Sequence, residues 1–143
     1  IWYKTRLCAQ QHRNKKWQQC GWEAGEQLKA QGCDRPTHIF VQAGVGSLAG
    51  AVVGYFSNLY ADNLPTFVVV EAEAAACLYK GAAAGESGAA PFGALAAMMT
   101  MDEYKDLRND IGLDENSKVL LFSTEGDTDP DRYKNIVWKG LDK

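Results

Sequence analysis

The sequence predicts an α/β fold: a mainly parallel sheet with helices on both faces. Three observations predict it. Apolar runs rich in β-branched residues at 37–42, 66–70 and 118–123 have the unbroken character of strands covered on both sides. Between them lie stretches whose apolar residues recur at helical intervals. A glycine-rich turn, Gly44-Val45-Gly46, joins the first of these strands directly to a helix. Such alternation builds βαβ units, which cross over right-handed.

The elements follow in order. Residues 1–20 carry Lys4, Arg6, Arg13, Lys15 and Lys16 and no acid, with poor apolar periodicity, and are taken as a basic leader of unclear origin ahead of a domain at 21–143. They lack the apolar core of a secretory signal, so no export signal is expected. A short helix over 22–31 stops at Gly32, and Pro36 closes the connection to the first strand. The strand at 37–42 and the loop at 43–46 lead into a helix that runs to about residue 60. On that helix Leu48, Val52, Tyr55, Phe56 and Leu59 form the core stripe, while Gly46, Gly50 and Gly54 are spaced for close approach to a sheet.

After the turn at 62–65 comes the strand at 66–70, predicted to be buried on both faces. Residues 74–80 are helix-prone, 81–85 form a small-residue link, and 86–91 lead into a helix ending near Met99. A further helix shows Tyr104, Leu107 and Ile111 on one face, and the strand at 118–123 follows. Asp129 and Pro130 then cap and open a last helix.

Composition narrows the function classes. A chain of 143 residues with 46% hydrophobic and 23% charged side chains has room for one soluble domain with a real core. Its net charge of −3 gives no reason to expect nucleic acid or an anionic membrane as partner. The charge-free run between Arg35 and Asp62 is long enough for a membrane span, but it starts like a strand and is interrupted by Gly44, Gly46, Gly50, Gly54, Gln42 and Ser47. Cys8, Cys20, Cys33 and Cys77 are expected to be reduced thiols of a cytoplasmic protein. The set Cys8, His12, Cys20 and Cys33 matches none of the usual zinc spacings, so no metal is expected.

The glycine loop carries the strongest local signal. At a loop-to-helix junction the first amides have no partner inside the helix and the peptide dipoles point positive, so a phosphate can dock on backbone N–H groups. Gly44 to Ala49 fits the dinucleotide pattern G-x-G-x-x-A, with Glu71 at the end of the next strand as a ribose ligand. Another phosphate ligand fits the same residues, and so does tight packing alone. The acidic loop Asp127, Asp129, Asp131 resembles alternate calcium ligands, but Arg132 and Trp138 stand where an EF-hand needs glycine and glutamate.

Longer stretches are more specific. RPTHIFVQAGVGSLAGAV at 35–52, VVEAEAAACLYKG at 69–81, GESGA at 85–89 and LLFSTEGDTDPDRYKNIVWKG at 120–140 closely resemble diaminopropionate ammonia-lyase, a pyridoxal-phosphate-dependent family with a tryptophan-synthase-β-like fold. The resemblance implies that Ala43, Gly44, Val45, Gly46, Ser47 and Leu48 hold the phosphate of pyridoxal 5'-phosphate, and that Ser123 meets the pyridine nitrogen. It also implies that Glu86, Ser87 and Thr124 border the pocket. The activity implied is α,β-elimination of a small amino-acid substrate, 2,3-diaminopropionate, to pyruvate and ammonia, by a homodimer.

The family's Schiff-base lysine lies far upstream of the glycine loop, and Lys4, Lys15, Lys16 and Lys29 do not have its surroundings, so no catalytic residue is assigned. The family also carries a long stretch where only Lys80 to Gly85 intervene here. The chain is therefore expected to be the C-terminal part of such an enzyme with an internal stretch missing, and inactive alone. The alternatives are a non-catalytic remnant or interaction module of the same fold, and a Rossmann-type dinucleotide-binding oxidoreductase.

Overall fold

The computed structural model describes residues 2–6, 18–43, 46–71 and 86–123. Strands β1 (Trp2–Arg6), β2 (His38–Gln42), β3 (Thr66–Val70) and β4 (Val119–Ser123) alternate with helices α1 (Gln18–Ala30), α2 (Ser47–Leu59), α3 (Glu86–Thr100) and α4 (Lys105–Asp110). The strands pair in the order β1-β4-β2-β3, every pair parallel. The expected α/β architecture is present.

Side-chain alternation along the strands assigns the two faces. Ile39 and Val41 of β2 and Leu120 and Phe122 of β4 pack with Ala24 and Leu28 of α1 and with Ala49, Val52 and Phe56 of α2. Phe40, Val119 and Leu121 turn the other way, onto Leu95 and Met98 of α3 and onto Leu113. Residues 38–42 and 119–122 of this central pair are thus buried from one side or the other, which is why both strands read as apolar runs.

Both ends of the basic segment join this domain: β1 pairs with β4, and α1 begins at Gln18, ahead of the predicted start. The end of α1 follows its sequence signal. Gly32 has φ +78, its N–H donates to the carbonyl of Lys29 at 2.9 Å and that of Cys33 to Leu28 at 3.1 Å, a Schellman stop with Leu28 and Cys33 both buried. Gly112 ends α4 in the same way, with φ +67 and N–H bonds from Gly112 to Asn109 and from Leu113 to Arg108, both at 3.0 Å.

Four expectations are corrected. Gly50 and Gly54 do not lie against the sheet; both are exposed, and a Cβ at either would meet nothing within 4 Å. The close approach is made instead at Gly21 of α1, against Tyr55. Leu59 and Leu107 are exposed rather than core residues: Leu59 is the last residue of α2, and α4 is a short helix preceded by a 3₁₀ turn at Asp102–Tyr104. β3 is an edge strand among the described residues, and Val69 is half exposed, so its β-branched run does not mark burial on both faces. Pro91 lies inside α3, where the buried ring offsets the lost N–H. The predicted helices at 74–80 and after Asp129 lie outside the described residues.

His38 is buried at the amino end of β2. Its Nε2 is 2.9 Å from the carbonyl of Ile111, which can only accept, so Nε2 carries a proton, and Nδ1 lies 2.8 Å from the Thr37 hydroxyl. Thr37 also accepts the N–H of Lys118 at 2.9 Å, which ties β2 to the start of β4. These bonds give the histidine a structural role at the edge of the sheet opposite the glycine loop.

Candidate cofactor site

The site is built by strand register. β2 and β4 are neighbours, paired from His38 opposite Val119 to Phe40 opposite Leu121, and Gln42 and Ser123 each lie two residues beyond that last pair. β1 sets Arg6 opposite Ser123, and β3 sets Val70 opposite Gln42. All four parallel strands therefore end at one edge of the sheet. In open parallel sheets ligands sit outside this edge.

The loop that leaves β2 is fixed at its root, where the N–H of Ala43 donates to the carbonyl of Val70 at 2.9 Å. Gly44 and Val45 lie outside the described residues. Gly46 precedes α2 with φ +86 and ψ −10, a left-handed conformation that disfavours any residue with a Cβ. Its carbonyl accepts the first helical bond, from Gly50 at 2.8 Å, so the N–H groups of Ser47, Leu48 and Ala49 have no acceptor within the helix. Gly46 and Ser47 are exposed, no acidic residue occurs in the first turn, and the space beside Gly46 is open to at least 4 Å. Leu48 packs back on the core and anchors the turn. Amides without an acceptor in the helix, a positive helix end, a hydroxyl and open space form a donor set suited to a phosphate dianion.

The other sequence-predicted residues fall as follows. Ser123 closes β4 on the strand next to β2. Glu86 and Ser87 open α3, and because this helix leads from the end of β3 back to the start of β4, its first turn lies toward the carboxyl edge. Thr124 lies outside the described residues. Sequence reasoning missed Gln42, which is buried at the same edge. The signal was present, because it is a lone amide closing the otherwise apolar run Ile39-Phe40-Val41.

The parallel α/β architecture, with a glycine turn and a strand-end serine at one edge, is the fold of the tryptophan-synthase-β type found in the solved structures it resembles. The chain is homologous to diaminopropionate ammonia-lyase. The Salmonella typhimurium enzyme of that name is 32% identical over 185 residues, a span that takes in 82% of this chain and 46% of that protein. Holo diaminopropionate ammonia-lyase from Escherichia coli superposes with a TM-score of 0.70 at 27% identity, covering 87% of this chain and 46% of the other. The same enzyme in complex with an aminoacrylate-PLP azomethine reaction intermediate gives 0.69 at 27% identity over 86% and 46%. A further structure of it holds D-serine. No family model matches the sequence.

The chain thus spans about half the length of these relatives. Because 82% of a 143-residue chain occupies a match 185 residues long, the Salmonella protein carries several dozen residues within the match that this chain lacks.

Proposed function

We propose that this chain forms part of a pyridoxal-phosphate-dependent carbon–nitrogen lyase that converts 2,3-diaminopropionate to pyruvate and ammonia. The observation that carries the reading is the glycine cradle and Ser123 on adjacent strand ends, within a fold shared with a holo enzyme of that activity. The amides of Ser47, Leu48 and Ala49, with Gly46 leaving room for approach and Ala43, Gly44 and Val45 shaping the loop, would hold the cofactor phosphate. Bound there, pyridoxal phosphate supplies the electron sink for loss of the α-proton. Ser123 would offer the ring nitrogen a neutral hydroxyl partner, which does not enforce protonation as a carboxylate would. That suits an elimination whose carbanion is discharged quickly by departure of the β-amino group. Glu86, Ser87 and Thr124 would border the substrate. Cys20 and Cys33 as reduced thiols would suit a cytoplasmic protein, and the reading takes it as a homodimer.

A second reading is a binding module without catalysis, and it rests on the lysines among the described residues. Lys29, Lys105 and Lys118 are all exposed, and Lys29 pairs with Glu26 at 3.3 Å, whereas a Schiff-base lysine needs desolvation. Calorimetric titration with pyridoxal phosphate and with NAD tests the common part of both readings: saturable binding of the first and none of the second is expected, and the reverse overturns them. Pyruvate release from 2,3-diaminopropionate by the complete polypeptide that carries this chain separates the lyase from the module.

A further inference from the structure

We propose that Gln42 is a positioning residue for the ring of the bound cofactor, an inference that rests on the pyridoxal phosphate reading. β2 is buried along its whole length and has one polar residue at each end. His38, at the amino end, is accounted for by Thr37 and Ile111. Gln42 is only 7% exposed and lies at the opposite end, where a parallel sheet receives its ligand.

Three placements bear on its role. It immediately precedes Ala43, the first residue of the cradle; like Ser123 on the neighbouring strand, it lies two residues beyond the last β2–β4 pair; and it shares the face of Phe40, which packs on α3. A group whose phosphate sits at the start of α2 and whose ring reaches toward β4 must pass the end of β2. A carboxamide has two N–H donors and an acceptor oxygen with two lone pairs, so a bond within the protein leaves capacity for a ligand. The side chain is short of rotational freedom where it is buried, so it can fix the plane of the ring at little further entropy cost.

The test titrates the full chain with pyridoxine 5'-phosphate, which has no aldehyde to react with surface lysines, and separately with inorganic phosphate. Gln42→Met keeps the length of the side chain and removes the amide. It is expected to weaken pyridoxine phosphate binding by about tenfold, the loss of one net hydrogen bond, and to leave phosphate within about twofold. Gly46→Val is expected to weaken both ligands. Gln42→Leu, which removes the amide and adds no charge beside the phosphate, supplies a second case should Gln42→Met melt at low temperature, and is expected to show the same selectivity for the ring. An equal loss for both ligands makes Gln42 a loop-shaping residue, and no loss makes it a core amide; either result overturns the proposal alone. A parent chain that binds neither ligand overturns the cofactor reading and the proposal with it.

Discussion

Gly21 of α1 lies so close to Tyr55 of α2 that a Cβ on the glycine would stand 2.5 Å from the ring's Cγ and 2.7 Å from its Cβ. These atoms are at the root of the side chain, where rotation gives little relief. Gly21→Ala must push the two helices apart, at about 1–3 kcal/mol, against a helix-propensity gain of about 1 kcal/mol. One turn on, a Cβ at Gly25 would meet the Tyr55 hydroxyl at 3.5 Å, an ordinary contact. Urea melts should show Gly21→Ala destabilised and Gly25→Ala neutral or stabilised; equal midpoints for the two variants would sink this account of the helix pair.

The glycines of α2 make a second contrast. Gly46 has φ +86 in open space, so Gly46→Ala carries left-handed strain of about 1–2 kcal/mol with no clash. Gly50 is inside the helix and exposed, and Gly50→Ala should stabilise by about 0.5–1 kcal/mol. Thermal melts of the pair are expected to shift in opposite directions. If both rise, Gly46 is not held left-handed in solution.

The turn before β4 predicts a pH dependence. The Ser117 hydroxyl, aided by the amides of Asn116 and Ser117, holds the exposed Asp114 carboxyl below its ordinary value. A lowered folded-state pKa contributes stability that is present above the unfolded value near 4 and lost as pH falls through the folded one. Asp114→Asn should therefore be less stable than the parent at pH 6, and the gap should narrow below about pH 4. Denaturant midpoints across that range check it, and a gap that widens in acid contradicts the sign.

The lysines predict how the cofactor is held. Since Lys29, Lys105 and Lys118 are exposed, the chain expressed as written should bind pyridoxal phosphate without a lysine-linked absorbance band that survives dialysis. A persistent band abolished by changing one lysine, Lys80 for instance, would identify a nucleophile outside the described residues.

Much of this was legible in the sequence because it is local. Unbroken apolar runs marked the strands, Gly32 the stop of α1, and the glycine loop the helix start that can take an anion, since each depends on backbone conformation within a few residues. The words around residues 35–52 and 120–140 carried the family resemblance.

Only the tertiary structure decided what depends on strand order and helix placement. Nothing in Trp2–Arg6 says that a basic segment pairs with β4, because register is set by the partner strand. Nothing in Thr66–Val70 says that it is an edge strand among the described residues, because β-branched residues suit edge and centre alike. The four-residue spacing of Gly46, Gly50 and Gly54 marks one helix face without saying whether sheet or solvent lies against it, and packing turned Gly50 and Gly54 to solvent and made the close contact at Gly21. The meeting of Gly46, Gln42 and Ser123 at one edge is likewise long-range: it follows from β4 returning to lie between β1 and β2, an arrangement fixed by burying both faces of the sheet at once.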